Sequence, residues 1–350
     1  MQIGEHLASP RSAWTSGRGE MADVVVSSRA RLARNLEGFA FPDRLTPEVG
    51  EQVLGRVQGA VQAFGGGWTF VKLSELSAVD RQVLVEKHLI SPQQMQAPEQ
   101  AALAVRDDES LSLMVNEEDH LRLQALRPGL AVRQTLEDAL QADDQLEAAL
   151  DFAFTPELGY LTACPTNVGT GLRISVMLHL GGLVRTRGIA QLLQVLPKLG
   201  LAVRGLYGEG TEAAGDLFQI SNQITLGQAE EEVAAGIERA AQQIIDQERA
   251  ARRMLKEQAL QQTQDRVFRA LGVLRYAQLL SGEEAMQLLS ELRLGVEMGM
   301  LQVPPETVNE LLVTALPGFL ARSAGHELQT LEERAARARL IRERLQKEGI

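Results

Sequence analysis

Apolar and polar positions are arranged differently in the two parts of this chain. From residue 20 to about 228 the pattern is mixed. "DVVVSSRARLAR" opens as a β-branched strand, "LAVRDDESLSLMVNEEDH" reads as two short strands around a polar turn, and "DFAFTPELGYLTA" gives two extended segments broken at Thr155-Pro156. Helical stretches lie between them. In "TPEVGEQVLGRVQGAVQAF", Thr46 and Glu48 mark a helix start with Pro47 in the first turn, and "TLEDALQADDQLEAAL" is similar. Strands joined by hairpin-like turns predict an antiparallel sheet flanked by helices, an α+β fold, rather than a regular β-α-β series.

From Gln228 onward strand signals almost vanish. "AEEEVAAGIERAAQQIIDQERAARRML" repeats apolar residues at three and four positions, and shorter amphipathic helices follow, punctuated by Gly282, Pro304-Pro305 and Pro317-Gly318. The chain is expected to divide into an N-terminal extension over 1–20, a sheet-bearing domain over 21–254 and an all-helical C-terminal domain over 255–350. The last segment, "LQTLEERAARARLIRERLQKEG", reads as a charged amphipathic helix, either a solvated face around an apolar stripe or a docking surface.

Composition adds limits. A length of 350 residues with 45% hydrophobic content is enough for a sizeable core. The N-terminus lacks a basic start followed by an apolar stretch, and no segment approaches about eighteen uninterrupted apolar residues. These features predict a soluble, cytoplasmic chain with no membrane association. A net charge of -11 and 4% aromatic content argue against direct nucleic-acid binding. The single cysteine, Cys164, can form neither an internal disulfide nor a cysteine-rich metal site. Lysine occurs only at Lys72, Lys87, Lys198, Lys256 and Lys347, so a phosphate site here must use arginine.

No familiar phosphate loop supplies one. "FGGGWTF" and "YGEGTEAAGD" contain glycines, but neither continues to Gly-Lys-Ser/Thr, and the protein-kinase signatures are missing. "SSRAR" places Arg29 and Arg31 two apart on a strand, hence on one face, where both guanidiniums reach the same anion. Arg122, Arg173 and Arg204 end or begin other motif-like stretches; singly, each also fits a surface arginine. "NEEDH" concentrates Glu117, Glu118 and Asp119 after an apolar run. It reads either as the acidic first turn of a helix or as a site for a cation or a proton. Glu209 sits in the glycine-flanked "YGEG", where mobility suits a closing loop. His88, His120 and His179 do not form a spaced ligand set, so no protein-held metal is expected. Cys164 reads as a small buried residue or a thiolate.

Four stretches, "SSRARLARNL", "NEEDHLR", "CPTNVGTGLR" and "RGLYGEGTEAAGDLFQISNQ", together resemble the catalytic domain of the phosphagen (guanidino) kinases in order and spacing. "VEKHLISP", "FQISNQITLG" and "LRLGVEMGML" are similar to the bacterial protein-arginine kinase branch, of the McsB type. The large helical N-terminal domain of the metabolite kinases has no room here. The resemblance implies an ATP-dependent kinase acting on arginine side chains in proteins, with Mg²⁺ held mainly by the nucleotide. It also implies an activator or adaptor protein, a stress-response protease system and a homodimer.

Carried onto this sequence, the resemblance assigns the phosphates to Arg29, Arg31, Arg122, Arg173 and Arg204, and places His88 near the nucleoside. The nucleotide-contact stretches are Ser27, Ser28, Arg29, Ala30 and Arg31; Arg173, Ile174, Ser175, Val176 and Met177; and Arg204, Gly205, Leu206, Tyr207, Gly208 and Glu209. Met177 stands where the metabolite kinases often carry a ribose-contacting histidine. Glu118 and Glu209 are the implied catalytic carboxylates, and Cys164 a supporting neighbour of the substrate guanidinium. The glycines of "CPTNVGTGLR" are expected to let the backbone approach that guanidinium. One departure concerns the last helix. The family's Arg-Asp-x-x-Arg-Ala, a phosphoarginine receptor, aligns through Arg337 and Ala338, but Glu333-Arg334 replace its leading pair. An acid there repels a phosphorylated ligand. The alternatives are a catalytically weak nucleotide- or phosphoarginine-binding adaptor and a kinase of a small free guanidino compound.

Overall fold

The structure is a computed structural model that describes residues 2–205 and 214–350. Among the described residues there are ten strands: β1 (Val25–Arg34), β2 (Trp68–Lys72), β3 (Ala102–Arg106), β4 (Leu111–Val115), β5 (Leu121–Pro128), β6 (Phe154–Thr155), β7 (Gly159–Tyr160), β8 (Leu172–His179), β9 (Leu201–Gly205) and β10 (Leu217–Asn222). Eight of them form one sheet in the order β2-β3-β4-β5-β1-β8-β10-β9, with antiparallel neighbours throughout. β6 and β7 make a separate small hairpin. The antiparallel α+β reading therefore holds, with helices on both faces and a helical C-terminal region.

Alternation along the strands decides what each face meets. Ala30 and Leu32 of β1, Leu123 of β5, Ile174 and Val176 of β8 and Ile220 of β10 point to one face. There they pack with the helices Pro47–Ala63, Val132–Glu147 and Glu230–Gln258. Thr46 caps the first of these, its hydroxyl accepting from the Val49 amide at 3.4 Å with Pro47 in the first turn, as the sequence predicts. The opposite face is apolar at one end, where Val26, Leu126, Met177 and Leu217 sit under the C-terminal helices. Further along the same strands that face turns cationic.

Three features differ from the sequence reading. The segment 1–20 is built into the molecule: Leu7 and Trp14 belong to the second core, between the sheet and the C-terminal helices. The helix Glu230–Gln258 runs through the expected boundary at 254/255, and the chain breaks at Ala259, whose backbone leaves the helical region before the helix Leu260–Tyr276. "NEEDH" starts no helix. It is the tight turn between β4 and β5, closed by the Asn116 amide bonding to His120 O and the Glu117 amide to Asp119 O, with Asn116 at φ 53°. No described helix is long and apolar enough to cross a membrane.

Candidate active site

Register gathers the arginines. Arg31 of β1 lies opposite Arg173 of β8 on one side and Gln124 of β5 on the other, while Arg29 lies opposite Ser175. Arg122 enters from β5 opposite Ala33, and Arg204 from β9 opposite Gln219 of β10. All five guanidinium-bearing residues thus project from one face of four strands. They line two adjoining cavities, of about 470 and 770 Å³, that share Arg31, Gln93, Arg122 and Arg204. The smaller adds His88, Val85, Ile90 and Met114; the larger adds Glu118, Cys164, Thr166 and Asn167.

Burial and mutual repulsion act on the arginines of this cage. Arg29 is held by neutral groups, donating to Gln219 Oε1 at 2.7 Å and Ser175 Oγ at 3.4 Å. Burial, and then Arg122, Arg173 and Arg204, lower its pKa to about 10. Burial also pulls Arg31 well below the usual guanidinium value, with Arg29 next in effect. Arg31 Nε is buried without a hydrogen-bond partner, and no ion pair to Arg31 is made among the described residues. Desolvated like charges persist when an anion of opposite sign completes the site. His88 is pushed down to about 3 by burial and by Arg29 and Arg31, so its ring is neutral.

The three carboxylates of the turn have separate tasks. The Glu117 side chain is buried and pairs with Arg122 at 2.7 Å while accepting from Ser91 Oγ at 2.6 Å. Burial is the largest influence on it and raises its pKa, but Arg122 and these hydrogen bonds together hold it low. Asp119 is buried too, accepting from Asn35 Nδ2 at 2.6 Å and from the Ala163 amide at 2.7 Å, so it fixes the loop that carries Cys164. The Glu118 carboxylate has no hydrogen-bond donor among the described residues and faces the larger cavity. Burial, then Asp119 and Glu117, raise its pKa. A carboxylate with spare acceptor capacity and raised basicity can align a planar guanidinium and take a proton.

Cys164 is half-buried in the same cavity, its Sγ 3.0 Å from Thr166 Oγ1. The neighbouring glycines already have a reason within the fold. At Gly169, φ +109°, a Cβ would stand 2.4 Å from Thr225 O; at Gly171, φ +63°, it would stand 2.6 Å from Ala33 O. The backbone that comes close there is the protein's own.

Alternation also divides the expected nucleotide stretches. Ser28, Ala30, Ile174 and Val176 point away from the cage, Ala30, Ile174 and Val176 into the first core. Ser28 Oγ donates to Gly129 O and accepts from the Ala131 amide. Ser27 and Gly205 are buried and line neither cavity, and Met177 packs in the second core. Leu206, Tyr207, Gly208 and Glu209 lie outside the described residues. Gln93, Gln124, Gln219 and Ser91 escaped the sequence reading. The period of two from Arg122 and from Arg204's partner strand would have found Gln124 and Gln219.

The C-terminal departure is structural as well. Arg337, 1% exposed, donates to Ala315 O at 2.7 Å and Leu280 O at 3.1 Å, and pairs with Glu333. His120 and His179 are likewise engaged, with the Leu36 amide at 3.1 Å and Ser290 Oγ at 2.9 Å.

Comparison with known proteins agrees with this geometry. Residues 50–251 match the family described as ATP:guanido phosphotransferase, C-terminal catalytic domain, and residues 260–349 match the protein-arginine kinase McsB C-terminal domain. The chain is 50% identical to the protein-arginine kinase of Desulforamulus reducens over 351 residues, covering 99% of this chain and 98% of that one. The chain belongs to the protein-arginine kinase branch of the ATP:guanido phosphotransferases. The protein-arginine kinase of Symbiobacterium thermophilum is also 50% identical, over 99% of both chains. A lombricine kinase crystal structure is similar at 26% identity with a TM-score of 0.58, over 67% of this chain and 68% of that one. Membership in this family implies ATP as phosphoryl donor, and the arginine cage suits a polyphosphate. Among the described residues no group of three or more His, Cys, Asp or Glu could hold a metal.

Proposed function

We propose that this protein transfers the terminal phosphoryl group of ATP to arginine side chains of other proteins. The observation that carries the reading is the desolvated arginine cage adjoining a cavity lined by the Glu118 carboxylate, which meets no hydrogen-bond donor among the described residues. Arg29, Arg31, Arg122, Arg173 and Arg204 would hold the polyphosphate and neutralise charge developing on the transferred group. Val85, His88, Ile90 and Met114 give the smaller cavity a less charged wall suited to the nucleoside. Mg²⁺, carried on the nucleotide, would add charge neutralisation between the phosphates.

An arginine guanidinium is protonated below about pH 12, and its delocalised nitrogens are poor nucleophiles. Glu118 would accept two of its N–H groups and orient one nitrogen in line with the phosphorus. As the N–P bond forms and the P–O bond to the ADP leaving group breaks, the nitrogen's proton passes to the Glu118 carboxylate. Glu209 is the second carboxylate of this reading, and Cys164 a neighbour that touches the guanidinium in a supporting role.

The reading extends to partners: flexible protein segments with exposed arginine, an activator or adaptor, a stress-response protease and self-association in the cytoplasm. Exposed Phe268, Val273 and Tyr276 on the helix Leu260–Tyr276 support the last of these. Incubation with labelled ATP, casein and free arginine separates the alternatives. Acid-labile label on casein is expected. Label on free arginine alone favours a small-substrate kinase, and none on either favours a binding adaptor.

A further inference from the structure

Three consecutive residues of "VEKHLISP" bind three different parts of the molecule. Glu86, 2% exposed, accepts from the Gly318 amide at 2.7 Å and the Phe319 amide at 3.1 Å, at the start of the C-terminal helix Pro317–Ala324. A Cβ at position 318 would stand 2.8 Å from Glu86 Oε2, so only glycine lets the carboxylate seat there. Lys87, fully buried, donates to His6 O at 2.7 Å and pairs with Glu109, which also accepts from Ser12 Oγ at 2.7 Å and bonds His6 Nδ1 at 2.9 Å. Its own carbonyl accepts from Trp14 Nε1 at 3.3 Å.

His88 follows directly and lines the smaller cavity. Its backbone lies in the left-handed region, φ 61°, which a side chain other than glycine rarely adopts without surrounding support. That support is visible. The Trp14 ring packs 5.1 Å from the imidazole, and Gln124 Nε2 donates to His88 O at 2.7 Å. Buried polar groups with this many specific partners fix one geometry, and removing one partner leaves the others unsatisfied.

We infer that Glu86 and Lys87 are positioning residues that hold the His88 wall of the nucleotide cavity, through the C-terminal helix and the N-terminal segment respectively. This inference rests on the nucleotide reading of the cavity. It predicts that a change remote from the cavity alters nucleotide affinity selectively. Gly318→Ala crowds the Glu86 carboxylate although alanine itself favours the helix. Lys87→Met combined with Glu109→Gln removes the second tether without leaving a lone buried charge.

The test is calorimetric titration of full-length protein with MgADP, together with steady-state kinetics on a protein substrate. Each variant should lose on the order of tenfold in ADP affinity, with kcat and the KM for the acceptor within about twofold of the parent. Unchanged ADP affinity, or an equal loss of ADP and acceptor binding, would overturn the inference. Should the double variant fail to fold, Gly318→Ala decides alone. A parent protein that binds no ADP would instead remove the nucleotide reading on which this rests.

Discussion

Replacing Arg29 by methionine separates function from stability. The side chain keeps its length and apolar stem but loses a charge that the folded protein disfavours. A pKa near 10, against an ordinary value above about 12, corresponds to roughly 3 kcal/mol of unfavourable environment, reduced where cavity water screens the charge. The sign is fixed by linkage: the unfolded chain binds this proton more tightly, so the penalty is present at every pH below about 10 and fades above it. Against the gain stand two hydrogen bonds to neutral acceptors, on Gln219 and Ser175, worth about 1 kcal/mol each in this partly hydrated cavity. Arg29→Met should therefore be as stable as the parent or up to about 1 kcal/mol more stable, in thermal unfolding followed by circular dichroism. The cost falls on binding. Losing one charge-assisted contact to phosphate should weaken ATP by roughly 10- to 100-fold. Saturating ATP, which at a hundred times its Kd stabilises the parent by about 2.7 kcal/mol, should then stabilise the variant by only about 0.4–1.4 kcal/mol, with a correspondingly smaller rise in Tm. A clearly lower Tm without nucleotide, or a full nucleotide shift, would refute the reasoning that Arg29 serves phosphate binding rather than the stability of the fold.

Other substitutions test single tasks. Glu118→Gln should lower kcat by about 10²- to 10⁴-fold while leaving ADP affinity near the parent value, and Cys164→Ser should be milder; steady-state kinetics and calorimetry read both. The acid limb of kcat/KM should lie above the ordinary carboxylate range, because activity is lost as pH falls through the raised pKa of Glu118, and no limb should come from His88, which stays neutral down to about 3. Asp119→Ala should cost about 1–3 kcal/mol in chemical denaturation and reduce turnover, since it leaves the Asn35 side chain and the Ala163 amide without the one oxygen that accepts from both. Gly169→Ala should destabilise by about 1–3 kcal/mol, as its φ of +109° and the Thr225 carbonyl leave no place for a Cβ.

Local rules carried the sequence reading a long way. Alternation in "SSRAR" placed Arg29 and Arg31 together, and the helix start at Thr46-Pro47 was written in capping chemistry. The convergence of Arg122, Arg173 and Arg204 was not local. It depends on the strand order β5-β1-β8-β10-β9, which no single stretch encodes, and it became readable only through the resemblance of four motifs taken together. "NEEDH" shows the limit of pattern: acidic residues favour both helix starts and hairpin turns, and only the pairing of β4 with β5 chose the turn. The roles of Glu117, Asp119 and Glu118 were equally hidden, because they follow from which partner each carboxylate meets. The glycines at 169 and 171 were noticed for the right conformational reason, but the close neighbours are Thr225 and Ala33, far away in sequence. The buried links of residues 6–16 to Lys87 and Glu109 escaped because nothing in an N-terminal stretch announces what it will pack against.

The most direct measurement is a crystal structure of the full chain with Mg²⁺, a non-hydrolysable ATP analogue and an arginine peptide. The account predicts the phosphates among Arg29, Arg31, Arg122, Arg173 and Arg204, with the peptide guanidinium within hydrogen-bond reach of Glu118. Phosphates bound elsewhere, or a guanidinium seated away from Glu118, would contradict it.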